Sequence, residues 1–296
     1  MFVQFSLLWR MPSLACSLDI DPFRRREWLE CLDAGVATNV AHLSANATTY
    51  TADSDSGAFF DDYGNSTRIP QYKRFVMDSP IAEIVAQLLD STTVRFFHEH
   101  LVYKAEGTTV PTPWHQDQSA YALNGKQLCS VWIPLNDIPE NESLQFVLGS
   151  HKWGRMFMPM QCASQDSSPF VAGSLEPEIP QILPADTTSW AVCRGDAIAF
   201  HMMTLHAAGG SKRGRAALST RWLGDDAAFA QPILAATGSS ENEATKATKG
   251  SPGLQFSDGL GLGGMSVASF PIAFRATDES APGADVAHVR CSSGCL

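Results

Sequence analysis

The chain has no CxxC pair, no excess of basic residues and no apolar run approaching the length of a membrane helix. Each absence excludes something. The 7 cysteines are odd in number and scattered, which favours free thiols in a reducing compartment over a disulfide framework or a zinc knuckle. A spanning helix needs about 20 consecutive apolar residues, so no membrane segment is expected. The N-terminal stretch MFVQFSLLWRMPSLACS has no basic residue before its short apolar run and is a poor signal peptide. A cytoplasmic protein is the expectation. Basic residues number 21 against 31 acidic ones, a net charge of −10. Nucleic acid and anionic membrane both require a basic face, so neither is expected as a partner. Helix signals are also scarce after residue 91.

What is present is ordinary for a soluble globular protein. The 296 residues are 44% apolar, enough for a sizeable core in one large domain or two small ones. Apolar periodicity places helices over about 22–34, with Trp28, Leu29 and Leu32 on one side, and over about 79–90, with Ser79 as cap and Pro80 at the first turn. Strands are expected over 94–104, 128–135, 144–148, 190–193, 196–201 and 216–223. Residues 44–70 and 160–188 read as loops, 236–252 as a flexible insertion and the chain after 274 as a polar tail. Many short strands after two helices predict a mainly β fold with flanking helices, a jelly-roll or barrel-like sandwich.

The informative stretch is Pro111-Thr112-Pro113-Trp114-His115-Gln116-Asp117. The two prolines oppose helix. In a strand, side chains at i and i+2 leave the same face about 6.6 Å apart. An imidazole and a carboxylate so placed can share one cation. A second, distant histidine would complete two His and one carboxylate, which leaves half of an octahedral ion open, as in non-haem Fe(II) oxygenases. Among later histidines, His206 is preferred, since Ala-Ala-Gly-Gly after it promises a sharp, open turn, while His201 reads as a core histidine and stays the alternative. His151 most simply caps a loop, and His288 lies in the tail. His98-Glu99-His100 is a competing pair, of the kind used by cupin-like hydrolases or isomerases with Zn or Mn. Arg215, nine residues beyond His206, could bridge a carboxylate with two prongs, as could Arg213 or Arg221.

At these segments the sequence resembles the phytanoyl-CoA dioxygenase family of Fe(II)/2-oxoglutarate oxygenases. The resemblance is carried by VRFFHEHLVYKAEGTTVPTPWHQDQSAY, SVWIPLNDIPENESLQFVLGSHKWG, GDAIAFHMMTLHAAGG and RAALSTRWLGDD, with FFDDYGNSTRIPQYKRFVMDSP ahead of them. It implies a double-stranded β-helix, cupin-like, in a single oxygenase domain over 23–275, with residues 1–22 an extension and 276–296 a tail. It implies Fe(II), 2-oxoglutarate and O2 as cofactor and cosubstrates, and hydroxylation of a small organic or lipid-like substrate with release of succinate and CO2. His115, Asp117 and His206 match the iron ligands. Arg215 matches the arginine for the distal carboxylate of 2-oxoglutarate. Trp132, Gln116 and His100 fall where that cosubstrate is contacted, and Lys104 matches a recurring lysine. On this reading His98 and His100 line the pocket. Glu142-Ser143 departs from the usual Asn-Gly at a turn. Asp117 is present, so the ligand loss of a halogenase is not. A non-catalytic binding module on the same fold is the remaining alternative.

Overall fold

The computed structural model describes residues 22–50, 58–121, 123–157, 178–229 and 266–276, with two-residue strands at 5–6, 15–16 and 175–176. The expected insertion at 236–252, the tail beyond 276 and most of the 160–188 loop lie outside the described residues.

Three helices precede the sheets: α1 (Pro22–Ala41), α2 (Pro70–Asp78) and α3 (Ile81–Leu89). Helix α1 runs seven residues beyond its expected end because Gly35 does not stop it. A Cβ there would lie 2.7 Å from the Tyr72 ring, so glycine lets α1 press onto α2. Helix α2 was not legible as a helix; its signals are Pro70 in the first turn and Tyr72, Phe75 and Val76 buried on one side.

The strands of the two larger sheets are β1 (Ala47–Tyr50), β2 (Phe59–Tyr63), β3 (Thr93–Lys104), β4 (Thr112–His115), β5 (Leu128–Pro134), β6 (Leu144–Val147), β7 (Thr187–Thr188), β8 (Ile198–His201), β9 (His206–Ala208), β10 (Arg215–Leu223) and β11 (Ile272–Arg275). They form a seven-stranded sheet in the order β8-β5-β10-β3-β2-β1, with β11 also on β3, and a four-stranded sheet in the order β7-β6-β9-β4. Their pairings are antiparallel. Strands β1 and β2 correct the expectation of a loop over 44–70, and residues 190–193 make only an isolated bridge, Ile138 to Val192.

Period-two alternation sorts each strand of the large sheet. Cys129, Val131, Ile133, Leu218 and Trp222 face the helices and join Leu32, Tyr72, Phe75, Ile84 and Val85 in the main core. The other face turns inward, where Trp132, Ile198, Phe200 and Ala217 pack with Leu144, Phe146 and Ala208 of the small sheet. This sandwich of two antiparallel sheets under helices is the jelly-roll architecture expected. Cys31 and Cys129 are free and buried, whereas Cys193 is disulfide-bonded, which corrects the expectation of thiols throughout. No helix among the described residues is long and apolar enough to cross a membrane.

Candidate metal centre

His115 ends β4 and His206 begins β9, and the two are directly opposed across the small sheet. Sequence neighbours cannot produce this contact; strand pairing does. Their ring centroids are 4.1 Å apart. Asp117 does not continue the strand, as the same-face argument supposed. It has helical backbone angles, φ −61 and ψ −41, and starts a short 3-10 turn at Gln118–Ala120. That turn swings the carboxylate back under the two rings. Asp117 Oδ1 lies 3.7 Å from His115 Nε2 and 3.8 Å from His206 Nε2. Among the described residues, these three form the group of His, Cys, Asp and Glu whose ligand atoms lie within 4.8 Å of one another.

The surroundings fix which atoms converge. His115 Nδ1 is 2.8 Å from the Pro113 carbonyl, and His206 Nδ1 is 2.9 Å from that of Thr204. A carbonyl only accepts, so each Nδ1 carries the proton and each Nε2 keeps its lone pair toward Asp117. Metal-binding histidines are oriented in this way. Burial, and then the neighbouring His115, push the His206 ring down to about 3, so it is uncharged at neutral pH. Burial alone would raise Asp117. Arg221, then His206 and His115, instead hold it well below the usual carboxylate range. Arg221 Nη2 donates to Oδ1 at 2.8 Å and the Ser130 hydroxyl donates to Oδ2 at 2.6 Å. Two unprotonated imidazole nitrogens and an ionised carboxylate, too far apart to bond one another, fit a divalent cation of the N/O-preferring kind.

His201 is a satisfied core histidine: Nε2 meets the Lys126 carbonyl at 3.0 Å and Nδ1 accepts from Met203 N at 2.9 Å. The turn after His206 is not an approach to the metal. A Cβ on Gly210 would lie 2.3 Å from the Thr108 carbonyl, so glycine there lets two backbones meet.

Arg215 and Lys104 are paired in register on β10 and β3, both buried on the inward face. Lys104 Nζ donates to Val110 O and Gly209 O at 2.9 Å and sits over the Phe59 ring. Arg215 donates to the carbonyls of Glu142 and Gly209. Trp132 and His100 flank Ser219 of the same face. Gln116 is placed otherwise than the resemblance implied. Its amide donates to Arg155 O and Met203 O and accepts from Phe157 N; it splints two loops instead of facing a cosubstrate. His98 and His100 have ring centroids 6.2 Å apart and gather no third ligand among the described residues.

The family model for phytanoyl-CoA dioxygenase (PhyH) matches residues 34–217. The chain belongs to this family. The cofactor set expected above, Fe(II), 2-oxoglutarate and O2, is that of the PhyH family. Among solved structures, the chain is similar to the non-heme alpha ketoglutarate dependent epimerase SnoN from nogalamycin biosynthesis, with TM-score 0.54 and 18% identity over 88% of this chain and 90% of that one. SnoN has also been solved with Fe3+, alpha ketoglutarate and nogalamycin RO. The carbocyclase SnoK from the same biosynthesis gives TM-score 0.51 and 16% identity over 73% and 81%. The non-heme monooxygenase ThoJ gives 0.50 and 17% over 73% and 75%. At these identities the likeness is one of fold. No curated protein matches significantly.

Proposed function

We propose that this chain is an Fe(II)- and 2-oxoglutarate-dependent dioxygenase that hydroxylates a small organic or lipid-like molecule, releasing succinate and CO2. The observation that carries the reading is the convergence of His115 Nε2, His206 Nε2 and Asp117 Oδ1 with both Nδ1 protons given to carbonyls. These three side chains hold the metal from one side. When bound, iron with 2-oxoglutarate and O2 supplies the oxidising chemistry. The protein binds, orients and shields. Arg215 receives the distal carboxylate of 2-oxoglutarate, with Lys104 beside it as a second buried cation. Trp132 and His100 form the wall between that end and the metal. Arg221 and Ser130 keep Asp117 ionised and aimed. No side chain is required as a general base.

Titration with Fe(II) and 2-oxoglutarate without oxygen tests this. The visible charge-transfer band of the keto acid on iron is expected to develop with one equivalent of each and to be absent in His115→Ala. A wild-type protein that binds neither would refute the reading, and would favour the non-catalytic module. Among the described residues, His98 and His100 gather no third ligand for the cupin-like alternative.

A further inference from the structure

Between the metal ligands and Lys104, the inward face carries polar side chains whose hydrogen bonds neither the metal nor 2-oxoglutarate takes up in the reading above. His98 on β3 is 3% exposed, and neither of its ring nitrogens has a hydrogen-bond partner. His100, two residues on and 7% exposed, leaves Nδ1 unpartnered. Asp61 on β2 faces the same side, since Asp61 pairs with Val102 and Tyr63 with His100. One Asp61 oxygen is 3.3 Å from the Tyr50 hydroxyl; the other is buried without a partner. The aromatic rings of Tyr63 and Tyr121 stand around them, with Tyr63 stacked on His100 at 4.5 Å and Tyr121 5.0 Å from His98. Buried polar atoms are nearly always hydrogen-bonded, so a cluster left without partners calls for one from outside the chain, water or a ligand.

The charge of this wall limits what that is. Burial, and then Arg221, push His98 down to about 3, so the ring is a neutral donor and acceptor. Burial, against the pull of Lys104, raises Asp61 to about 7, so it offers a hydroxyl donor when protonated and an acceptor that repels anions when ionised. Arg221 gives Nη2 to Asp117 and Nη1 to Ser219 and the Thr220 carbonyl, while Lys104 and Arg215 hold main-chain carbonyls next to the proposed 2-oxoglutarate end. Among the described residues, the open cationic donor here is Arg221 Nε, and its charge is already balanced by Asp117.

Building on the proposed oxygenase, we infer that His98 and Asp61, beside Tyr63 and Tyr121, recognise the substrate, and that the part they hold is an uncharged ring compound bearing several hydroxyl groups, not a carboxylate or an acyl-CoA thioester. Hydroxyls answer both needs of the wall, giving hydrogen bonds to Asp61 and exchanging them with the neutral imidazole, while the ring lies against the aromatic side chains.

The test is succinate release by the iron-loaded protein against a library in three parts: neutral polyhydroxylated ring compounds such as glycosides and hydroxylated polycyclic phenols, carboxylates, and CoA thioesters. Each neutral compound is accompanied by its O-methylated form. Stimulation is expected among the neutral compounds and lost on O-methylation. For such a hit, His98→Phe, which keeps the ring, and Asp61→Asn, which keeps the shape, are each expected to raise KM at least about fivefold, the worth of one hydrogen bond, with the KM for 2-oxoglutarate unmoved. Stimulation by thioesters or carboxylates, no hit in the neutral part, equal turnover of the methylated forms, or an unchanged KM in both variants would overturn the inference. Failure of the anaerobic Fe(II) and 2-oxoglutarate titration would instead strike the oxygenase reading itself.

Discussion

Replacing Arg221 by methionine removes the cation from Asp117 while keeping most of the side-chain volume. Both partners are almost wholly buried, at 4% and 5% side-chain exposure, and the contact is 2.8 Å. Breaking a buried pair by deleting one partner costs about 3–5 kcal/mol, because the other charge stays behind unpaired. Asp117 would keep the Ser130 hydroxyl and the two imidazoles, 3.7 and 3.8 Å away, none of which replaces the guanidinium charge. For a domain of this size 1 kcal/mol is worth about 2–4 °C in Tm, so the metal-free variant should melt on the order of 10 °C lower. A divalent cation restores the missing charge. Excess Mn(II) should therefore raise the Tm of Arg221→Met by more than it raises that of the wild type. The assay is a thermal melt of chelator-treated protein with and without Mn(II). Asp117→Asn closes the cycle: the double variant should recover part of the loss, with a coupling of a few kcal/mol. A metal-free Arg221→Met that melts with the wild type would refute the reasoning, since Asp117 would then not need its partner.

Other outcomes follow from the same geometry. Arg215→Ala should weaken 2-oxoglutarate binding by about 10- to 100-fold, the range of a charge-assisted hydrogen bond, while iron still binds; equal cosubstrate affinity by calorimetry would move the role to Lys104 or Arg213. Glu99 is buried behind the sheet, and burial raises its carboxyl from 4.5 to about 7 against the hydrogen bond from Ser66 N. The folded state thus holds a proton that the unfolded chain has released. The associated stability is complete below pH 4.5 and is lost as pH rises through 7, at about 1.4 kcal/mol per unit. Glu99→Gln should flatten that decline in denaturant melts; an equally steep decline would assign it to other groups. Phe146 is fully buried and stacks on His206. Phe146→Ala should cost about 3–5 kcal/mol and loosen metal binding, whereas unchanged metal affinity would show that His206 holds its place without it.

The parts legible in the sequence are those set by local pattern. Alternation along 94–104 put His98, His100, Val102 and Lys104 on one face, and that is the inward face of β3. The helix over 79–90 and the strands over 128–135 and 216–223 recur within two residues of expectation. What pattern cannot supply is pairing between distant strands. His206 rather than His201 meets His115 because β9 lies beside β4, while β8 carries His201 in the other sheet. The partner of Asp117 was hidden for the same reason. Arg221 lies six residues past Arg215, an even spacing that puts both on one face, but only the neighbouring Ser130 of β5 shows which end of that face the carboxylate occupies. Gln116 shows the opposite failure. The resemblance implied a contact with the cosubstrate, yet this residue, between His115 and Asp117 in the chain, has its amide given to the backbone of two loops.

The central claim is that one divalent cation is shared by residues 115, 117 and 206. The most direct measurement is an anomalous difference map from crystals of the Fe(II)- or Mn(II)-loaded protein grown without oxygen. A single strong peak bounded by His115 Nε2, His206 Nε2 and an Asp117 oxygen is the predicted result. A peak at His98 and His100, or stoichiometric metal with no density among the three, would contradict the account.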